Sequence, residues 1–199
     1  MSKNGKLIFR YSAMNAGKSL DLIKTAYNYT ERGMKVKVFN YEHDKRYGIN
    51  IVASRVGVSH ASESFNGDTI FYGKSSYEKY NFINVNCILV DEAQFLDKYQ
   101  VFQLVRLKNQ LNIPIICYGL RTDFQGELFK GSEYLLAWAD SIEELTTVCH
   151  CGRKATFQIR KDEKGKRIFS GEKEQIGGNE VYESVCSFHF WEAMPTGHD

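Results

Sequence analysis

Apolar positions in this chain fall into short runs separated by polar, glycine-bearing segments, and the period of the runs changes along the sequence. Leu7 to Tyr11 is an apolar, aromatic run, Ser12 to Ser19 is small and polar, and Leu20, Ile23 and Tyr27 recur at helical spacing. This order predicts strand, loop and helix, with the helix closing near Gly33, which can adopt the left-handed conformation after a last turn. Val36 to Phe39 reads as a second strand. Asp44 to Asp68 is rich in Ser, Gly and Asn, carries Arg46 and Arg55, and shows weak periodicity, so it is expected to be a partly mobile loop region.

Cys87 to Val90 is a continuous apolar run, the mark of a strand buried on both faces of a parallel sheet, and it ends in Asp91 and Glu92. Asp97 and Gln100 have the spacing of a capping box, and Val101, Leu104, Val105 and Leu111 form an apolar stripe, so a helix is expected before the next strand, Ile113 to Tyr118. Strands alternating with helices imply parallel pairing through right-handed crossovers, hence an open α/β sheet with helices on both faces. Ligands of such sheets bind at the carboxyl ends of the strands. From Thr147 the composition shifts to cysteines, dense charge over Lys161 to Lys166, and a turn at Gly177 and Gly178. The chain is therefore expected to divide into a nucleotide-binding part, 1–147, and a small unit, 148–199.

A length of 199 residues suits one buried core with a small appendage. The 43% hydrophobic and 25% charged composition is that of an ordinary globular protein, and a net charge of +2 gives no strong whole-molecule field to attract nucleic acid, although a local basic patch is compatible with it; no nucleic-acid and no membrane partner is expected. No apolar stretch approaches the roughly 18 residues of a spanning helix, and the polar N-terminus has no signal-peptide core, so a cytoplasmic location is expected. In a reducing compartment the five cysteines are read as packing or metal-binding groups. Cys87 and Cys117 sit inside apolar runs and are expected to pack.

The segment Ser12, Ala13, Met14, Asn15, Ala16, Gly17, Lys18, Ser19 follows the phosphate-loop pattern between a strand and a helix, with Ser12 where the first glycine usually stands. A bare G-K-S tripeptide is a common solvated helix start. The preceding strand, the amphipathic helix and the later strand ending in Asp-Glu favour nucleotide binding instead. Backbone amides would cradle the phosphates of ATP, Lys18 would neutralise charge and Ser19 would ligate Mg²⁺. Asp91 stands where a metal-serving aspartate is expected. Adjacent strand residues point oppositely, so Glu92 shares that face only if the chain turns, and it is the candidate general base for an acceptor hydroxyl. The run Asp91, Glu92, Ala93, Gln94 also resembles the D-E-A-x box of nucleic-acid-stimulated ATPases.

Cys149, Cys151, Cys186 and His189 can supply four ligands to a structural Zn²⁺. The C-x-C spacing needs a tight knuckle, which Gly152 can provide, and His150 could replace one of the cysteines. Phe95, Phe124 and Phe129 all follow strand ends on the expected ligand edge. Each alone reads as core packing, and only their shared location suggests a base pocket.

The segments YSAMNAGKS (Tyr11 to Ser19), DKRYG (Asp44 to Gly48), VDEAQF (Val90 to Phe95), YGLRTDFQGELF (Tyr118 to Phe129) and IGGNEVYESVC (Ile176 to Cys186) resemble the thymidine kinases of the zinc-containing, tetrameric type, over nearly the whole chain. The likeness extends to the enterobacterial form, to which the serine in the phosphate loop and the C-x-C spacing both conform. The resemblance implies an α/β fold with a P-loop, RecA-like, mostly parallel sheet and flanking helices, plus a small C-terminal zinc-bound lasso domain. It implies that ATP and Mg²⁺ engage Ser12 to Ser19 and the Asp91, Glu92, Ala93, Gln94 segment, that Glu92 takes the proton of the nucleoside 5′-hydroxyl, and that Zn²⁺ is held by Cys149, Cys151, Cys186 and His189. A lasso over roughly Arg153 to Ser184 is expected to close on thymidine, with Met14, Arg46, Phe95, Leu120, Phe124, Phe129, Gly177, Gly178 and Tyr182 at the nucleoside. A homotetramer and feedback inhibition by thymidine triphosphate (dTTP) are implied in the same way.

Two other functions fit parts of the chain. A nucleic-acid-dependent ATPase usually needs a second sheet domain, for which there is no room. A non-catalytic zinc-ribbon module leaves the phosphate loop unexplained.

Overall fold

The leading apolar run forms β1 (Leu7–Ser12), and the chain re-enters regular structure at α1 (Lys18–Thr30). The computed structural model describes residues 5–44, 48–171 and 181–192. There follow β2 (Lys35–Tyr41), β3 (Ile51–Ala53), β4 (Ser59–Ala61), β5 (Glu63–Phe65), α2 (Lys74–Tyr80), β6 (Val85–Val90), α3 (Lys98–Leu111), β7 (Ile115–Leu120), α4 (Lys130–Trp138) and β8 (Ser141–Glu144). The main sheet has the order β5-β2-β6-β7-β1-β8, and each of its pairings is parallel. The fold is thus α/β with flanking helices, as expected. β6 and β7 lie at its centre and are buried almost throughout, which is why they read as unbroken apolar runs.

Helices cover both faces. Leu22, Ile23 and Ala26 of α1 pack on Val38, Cys87, Leu89, Ile116 and Tyr118. On the other face Leu104 and Leu107 of α3, Leu135 of α4 and Tyr80 of α2 meet Phe9, Phe39, Ile88, Val90 and Cys117. Cys87 and Cys117 therefore pack, as expected. The buried stripe of α1 differs from the expected one: Leu20 and Tyr27 are 39% and 63% exposed. The phase set by the helix start at Lys18 turns Leu22, Ile23 and Ala26 to the sheet. Arg10 on β1 ties down the first turns of α1, its Nη1 donating to Asp21 Oδ2 at 2.8 Å while Nε donates to Glu143 Oε2 at 2.7 Å. Gly33 does take the left-handed conformation (φ 73°) after α1.

The Asp44 to Asp68 region is not simply a loop. It contains the antiparallel β3–β4 hairpin and then β5, the edge strand beside β2. Three-residue strands are too short to establish a period in sequence; Val52 is held by burial against the α1 side of the core, a tertiary effect. The capping box is as expected, with Asp97 accepting from Gln100 N at 2.7 Å and Asp97 N donating to Gln100 Oε1 at 3.1 Å.

The last part of the chain adds β9 (Thr147–Val148), β10 (Lys154–Ala155), β11 (Phe157–Lys161), β12 (Arg167–Ile168), β13 (Tyr182–Val185) and α5 (Ser187–Glu192). β11, β12 and β13 form an antiparallel sheet with β11 in the middle. Cys149, Ala155, Val185, Cys186 and Phe190 make its small core, and Phe157 stacks on Phe190 at 4.4 Å.

Candidate functional site

β1, β6 and β7 end on the same edge of the sheet because they run parallel, and that edge carries the site. The loop from β1 to α1 turns through left-handed conformations at Asn15 (φ 65°) and Gly17 (φ 77°). α1 begins directly after this turn, and a helix N-terminus favours an anion. Lys18 Nζ lies along the loop, 3.0 Å from Ser12 Oγ and 3.2 Å from Ala13 O. Ser19 Oγ donates to Asp91 Oδ2 at 2.9 Å, so the acids at the end of β6 stand beside the loop after β1.

Asp91 is 2% exposed. Burial, and then the charge of Glu92, push its carboxyl well above the usual carboxylate range, against the opposing pull of Ser19 Oγ–H, the Glu92 N–H and Lys18. A cation next to Ser19 and Asp91 would relieve that penalty. Glu92 has φ 52° and ψ 36°, a left-handed conformation that costs a non-glycine residue on the order of 1–2 kcal/mol. The chain does turn there, and it brings Glu92 to the same side as Lys18. Gln94 buttresses the turn: its Nε2 donates to Glu92 Oε2 at 2.5 Å and its Oε1 accepts from Leu120 N at 3.0 Å. Two glycines make room for this arrangement. A Cβ on Gly119 would come 2.9 Å from Gln94 Oε1, and one on Gly131 would come 2.4 Å from Ala93 O and 2.8 Å from the carbonyl oxygens of both Gln94 and Leu96.

A single cavity joins the polar loop to an apolar wall. Asn15, Gly17, Lys18, Ser19, Glu92 and Gln94 line one part of it. Met14, Phe95, Leu120, Phe124, Phe129 and Tyr182 line the other, and Met14, Phe124 and Tyr182 are buried together. Phe95 stacks on Tyr41 at 4.4 Å and meets Phe129 edge-on at 5.8 Å. Ser12, Ala13, Ala16, Asp91 and Ala93 are not among the lining residues: Ser12 and Asp91 act behind the wall through Lys18 and Ser19, and Ala93 is wholly buried in the main core. The expected nucleoside contacts Arg46, Gly177 and Gly178 lie outside the described residues.

Several lining residues were not expected from the sequence. Ser54, Arg55 and Val56 come from the turn of the β3–β4 hairpin, with Asp44 nearby, and Asp123 and Gln158 are almost completely buried polar groups. Asp123 Oδ1 accepts from Gln125 N at 2.9 Å and Glu127 N at 3.0 Å, which closes the loop after β7. Of these, Arg55 is marked in sequence only as a cation in a Ser-, Gly- and Asn-rich segment, and Asp44 and Asp123 only as members of longer runs.

The C-terminal cysteines and His189 converge. Ligand atoms of Cys149, Cys151, Cys186 and His189 all lie within 4.8 Å of one another. Cys151 Sγ and Cys186 Sγ are 3.8 Å apart, and His189 Nδ1 is 3.3 Å from Cys149 Sγ and 3.5 Å from Cys186 Sγ. A tetrahedral ion with bonds of about 2.3 Å to sulfur and about 2.0 Å to nitrogen demands edges of roughly 3.5–3.8 Å, so this set fits a metal. His150 stands aside: its ring stacks on His189 at 4.3 Å and its Nδ1 is 3.1 Å from Glu183 Oε1. The knuckle turns at Gly152, where φ is 83°.

A family model described as thymidine kinase matches residues 5–190. The chain belongs to the thymidine kinase family. It is 54% identical to a thymidine kinase of Mannheimia succiniciproducens over 185 residues, 93% of this chain and 94% of that protein. It is 51% identical to the thymidine kinase of Yersinia pseudotuberculosis over 189 residues (95% and 96%), and 50% identical to that of Aliivibrio fischeri over 189 residues (95% and 98%). Among the described residues of this kinase no helix is long and apolar enough to cross a membrane.

The close approach of α4 to the acidic turn gives a test of how finely Glu92 is placed. Gly131→Ala forces the backbone of Ala93 to Leu96 to move. It is expected to destabilise the kinase by roughly 1–3 kcal/mol and, through a displaced Glu92, to lower kcat on the order of a hundredfold. Thermal unfolding together with steady-state kinetics checks both; normal kcat in a folded variant would show that the turn tolerates the shift.

Proposed function

We propose that this kinase transfers the γ-phosphate of ATP to the 5′-hydroxyl of thymidine, giving dTMP and ADP for nucleotide salvage and DNA precursor synthesis. The observation that carries this reading is that Glu92 lines the same cavity as Lys18 and Ser19 and as the Met14, Phe124 and Tyr182 cluster. A triphosphate on the Ser12 to Ser19 loop and a planar base against the aromatic wall then meet at a carboxylate.

In this reading the amides of the loop and Lys18 hold the phosphates, and half-buried Ser19 with buried Asp91 is the place for Mg²⁺, which would neutralise charge on the transferring group. Glu92 accepts the proton of the 5′-hydroxyl as that oxygen bonds to the γ-phosphorus, while the bond from phosphorus to the bridging oxygen breaks and ADP departs. Phe95, Leu120, Phe124 and Phe129 hold the base and exclude water. Residues 1–147 form the catalytic part. Residues 148–199 form a lasso unit whose Cys149, Cys151, Cys186 and His189 hold a structural zinc, leaving no position for a reacting water. A cytoplasmic homotetramer restrained by dTTP completes the reading, with no nucleic-acid or membrane partner; it rests on the likeness to thymidine kinases.

ADP release from ATP, measured with each of the four deoxynucleosides in turn, tests the proposal. Release is expected with thymidine and at background with deoxyadenosine and deoxyguanosine. ATP hydrolysis stimulated by DNA or RNA without any nucleoside would replace the kinase reading by an ATPase one.

A further inference from the structure

Ser184 lies on β13 and is 7% exposed. Its hydroxyl donates to the main-chain oxygen of Met14 at 2.5 Å, joining residues 170 positions apart. Met14 belongs to both halves of the site. Its backbone is part of the Ser12 to Ser19 loop, and its side chain packs with Phe124 and Tyr182 in the apolar wall. Across the ribbon, Gln158 of β11 is the register partner of Ser184. Gln158 is also buried, lines the cavity, and donates its Nε2 to Thr122 O in the loop after β7.

Two neighbouring polar side chains thus fasten the β11–β13 ribbon to two different walls. A hydrogen bond is directional, whereas apolar packing tolerates sliding, so the Ser184 contact forms only when the Ser12 to Ser19 loop and the ribbon hold this relative position. The donor is nearly buried, and an unmade bond there leaves a polar group without water. Anything that fixes the conformation of Met14 therefore fixes the seat of Tyr182, which opens the same strand.

We propose that Ser184 is a positioning residue that couples the two substrate sites, so that ATP on the Ser12 to Ser19 loop strengthens thymidine binding through the Met14 carbonyl. This rests on the reading of that loop as the ATP site and of the aromatic wall as the nucleoside pocket. Linkage makes the effect reciprocal: thymidine raises ATP affinity by the same factor.

The test is calorimetric titration of the full-length, zinc-loaded kinase with thymidine, without and with a saturating non-hydrolysable ATP analogue and Mg²⁺. The parent is expected to bind thymidine more tightly with the analogue, by on the order of tenfold. Ser184→Ala is expected to bring that ratio close to one, while affinity for thymidine alone changes by less than about threefold. Ser184→Thr, which keeps the hydroxyl, is expected to retain the ratio. If Ser184→Ala does not fold, Ser184→Cys, which keeps the branching with a somewhat larger atom and loses the strong donor, is read in the same way. An unchanged ratio in either folded variant overturns the coupling, as does a ratio of one in the parent. A merely structural role would weaken both titrations equally and leave the ratio intact, which also overturns it. Absence of thymidine or nucleotide binding in the parent is a different failure, that of the site assignment itself.

Discussion

Glu92→Gln is expected to fold, to bind ATP and thymidine with affinities close to those of the parent, and to lose roughly 10²- to 10⁴-fold in kcat, the usual worth of a positioned general base. The substitution is nearly isosteric, and the left-handed turn at residue 92 places the same demand on Gln as on Glu. Gln94 Nε2 keeps an acceptor, because the new amide can present its oxygen where Glu92 Oε2 now stands. What disappears is the ability to take a proton. Steady-state kinetics with thymidine, together with direct binding of an ATP analogue, separates the two effects. Turnover within tenfold of the parent would remove Glu92 from the role of base. A parallel loss of ATP binding would mean that Glu92 serves the phosphates instead.

Removal of the metal is expected to have the second large effect, confined to one substrate. Cys149 lies before β10 and Cys186 after β13, so an ion held by the four side chains would join the two ends of the β10–β13 segment. The core beneath it is small, with Cys149 and Cys186 themselves among its buried members. A zinc site of this ligand type contributes about 10–16 kcal/mol in isolated zinc-finger peptides, more than so small a core can replace. Exhaustive chelation, or Cys186→Ser, should therefore unfold the segment that carries Gln158 and Tyr182. A segment folded less than one part in a hundred of the time lowers apparent thymidine affinity by roughly a hundredfold or more. ATP binding should survive, since Lys18, Ser19 and Asp91 are held by the main sheet. Metal content by emission spectrometry, with both ligands titrated on the same sample, checks this. Parent-like thymidine binding by metal-free protein would separate the ion from the nucleoside site.

Much of this site was legible in one dimension. The strand, loop and helix around Lys18 could be read because the loop pattern, the apolar run before it and the helical spacing after it are local. The same holds for Asp97 and Gln100, whose capping box spans a single turn. The acids after Cys87 to Val90 were legible because a strand buried on both faces leaves a run without alternation. The aromatic wall was only partly legible. Phe95, Phe124 and Phe129 could be suspected from their positions after strand ends, yet nothing local separates a pocket aromatic from a core one.

The residues that were missed have a common cause. Arg55 reaches the cavity from a hairpin of three-residue strands, too short to show alternation. Gln158 is a polar residue in a strand, and its direction depends on which neighbour that strand pairs with. The stripe of α1 was misread because several phases fit a short amphipathic helix, and the sheet below selects one of them.

By itself the sequence determined the strand, loop and helix around Lys18, the acidic pair at the end of β6 and the four cysteine and histidine side chains that converge. All of these depend on periodicity or side-chain type over a few positions. The tertiary structure alone decided that Glu92 turns to the side of Lys18, that His150 stands outside the metal cluster, and that Ser184 meets Met14. Those outcomes depend on contacts between residues 26, 33 and 170 positions apart. Such contacts exist only once strand pairing, parallel in the main sheet and antiparallel in the β11–β13 ribbon, has brought distant segments together.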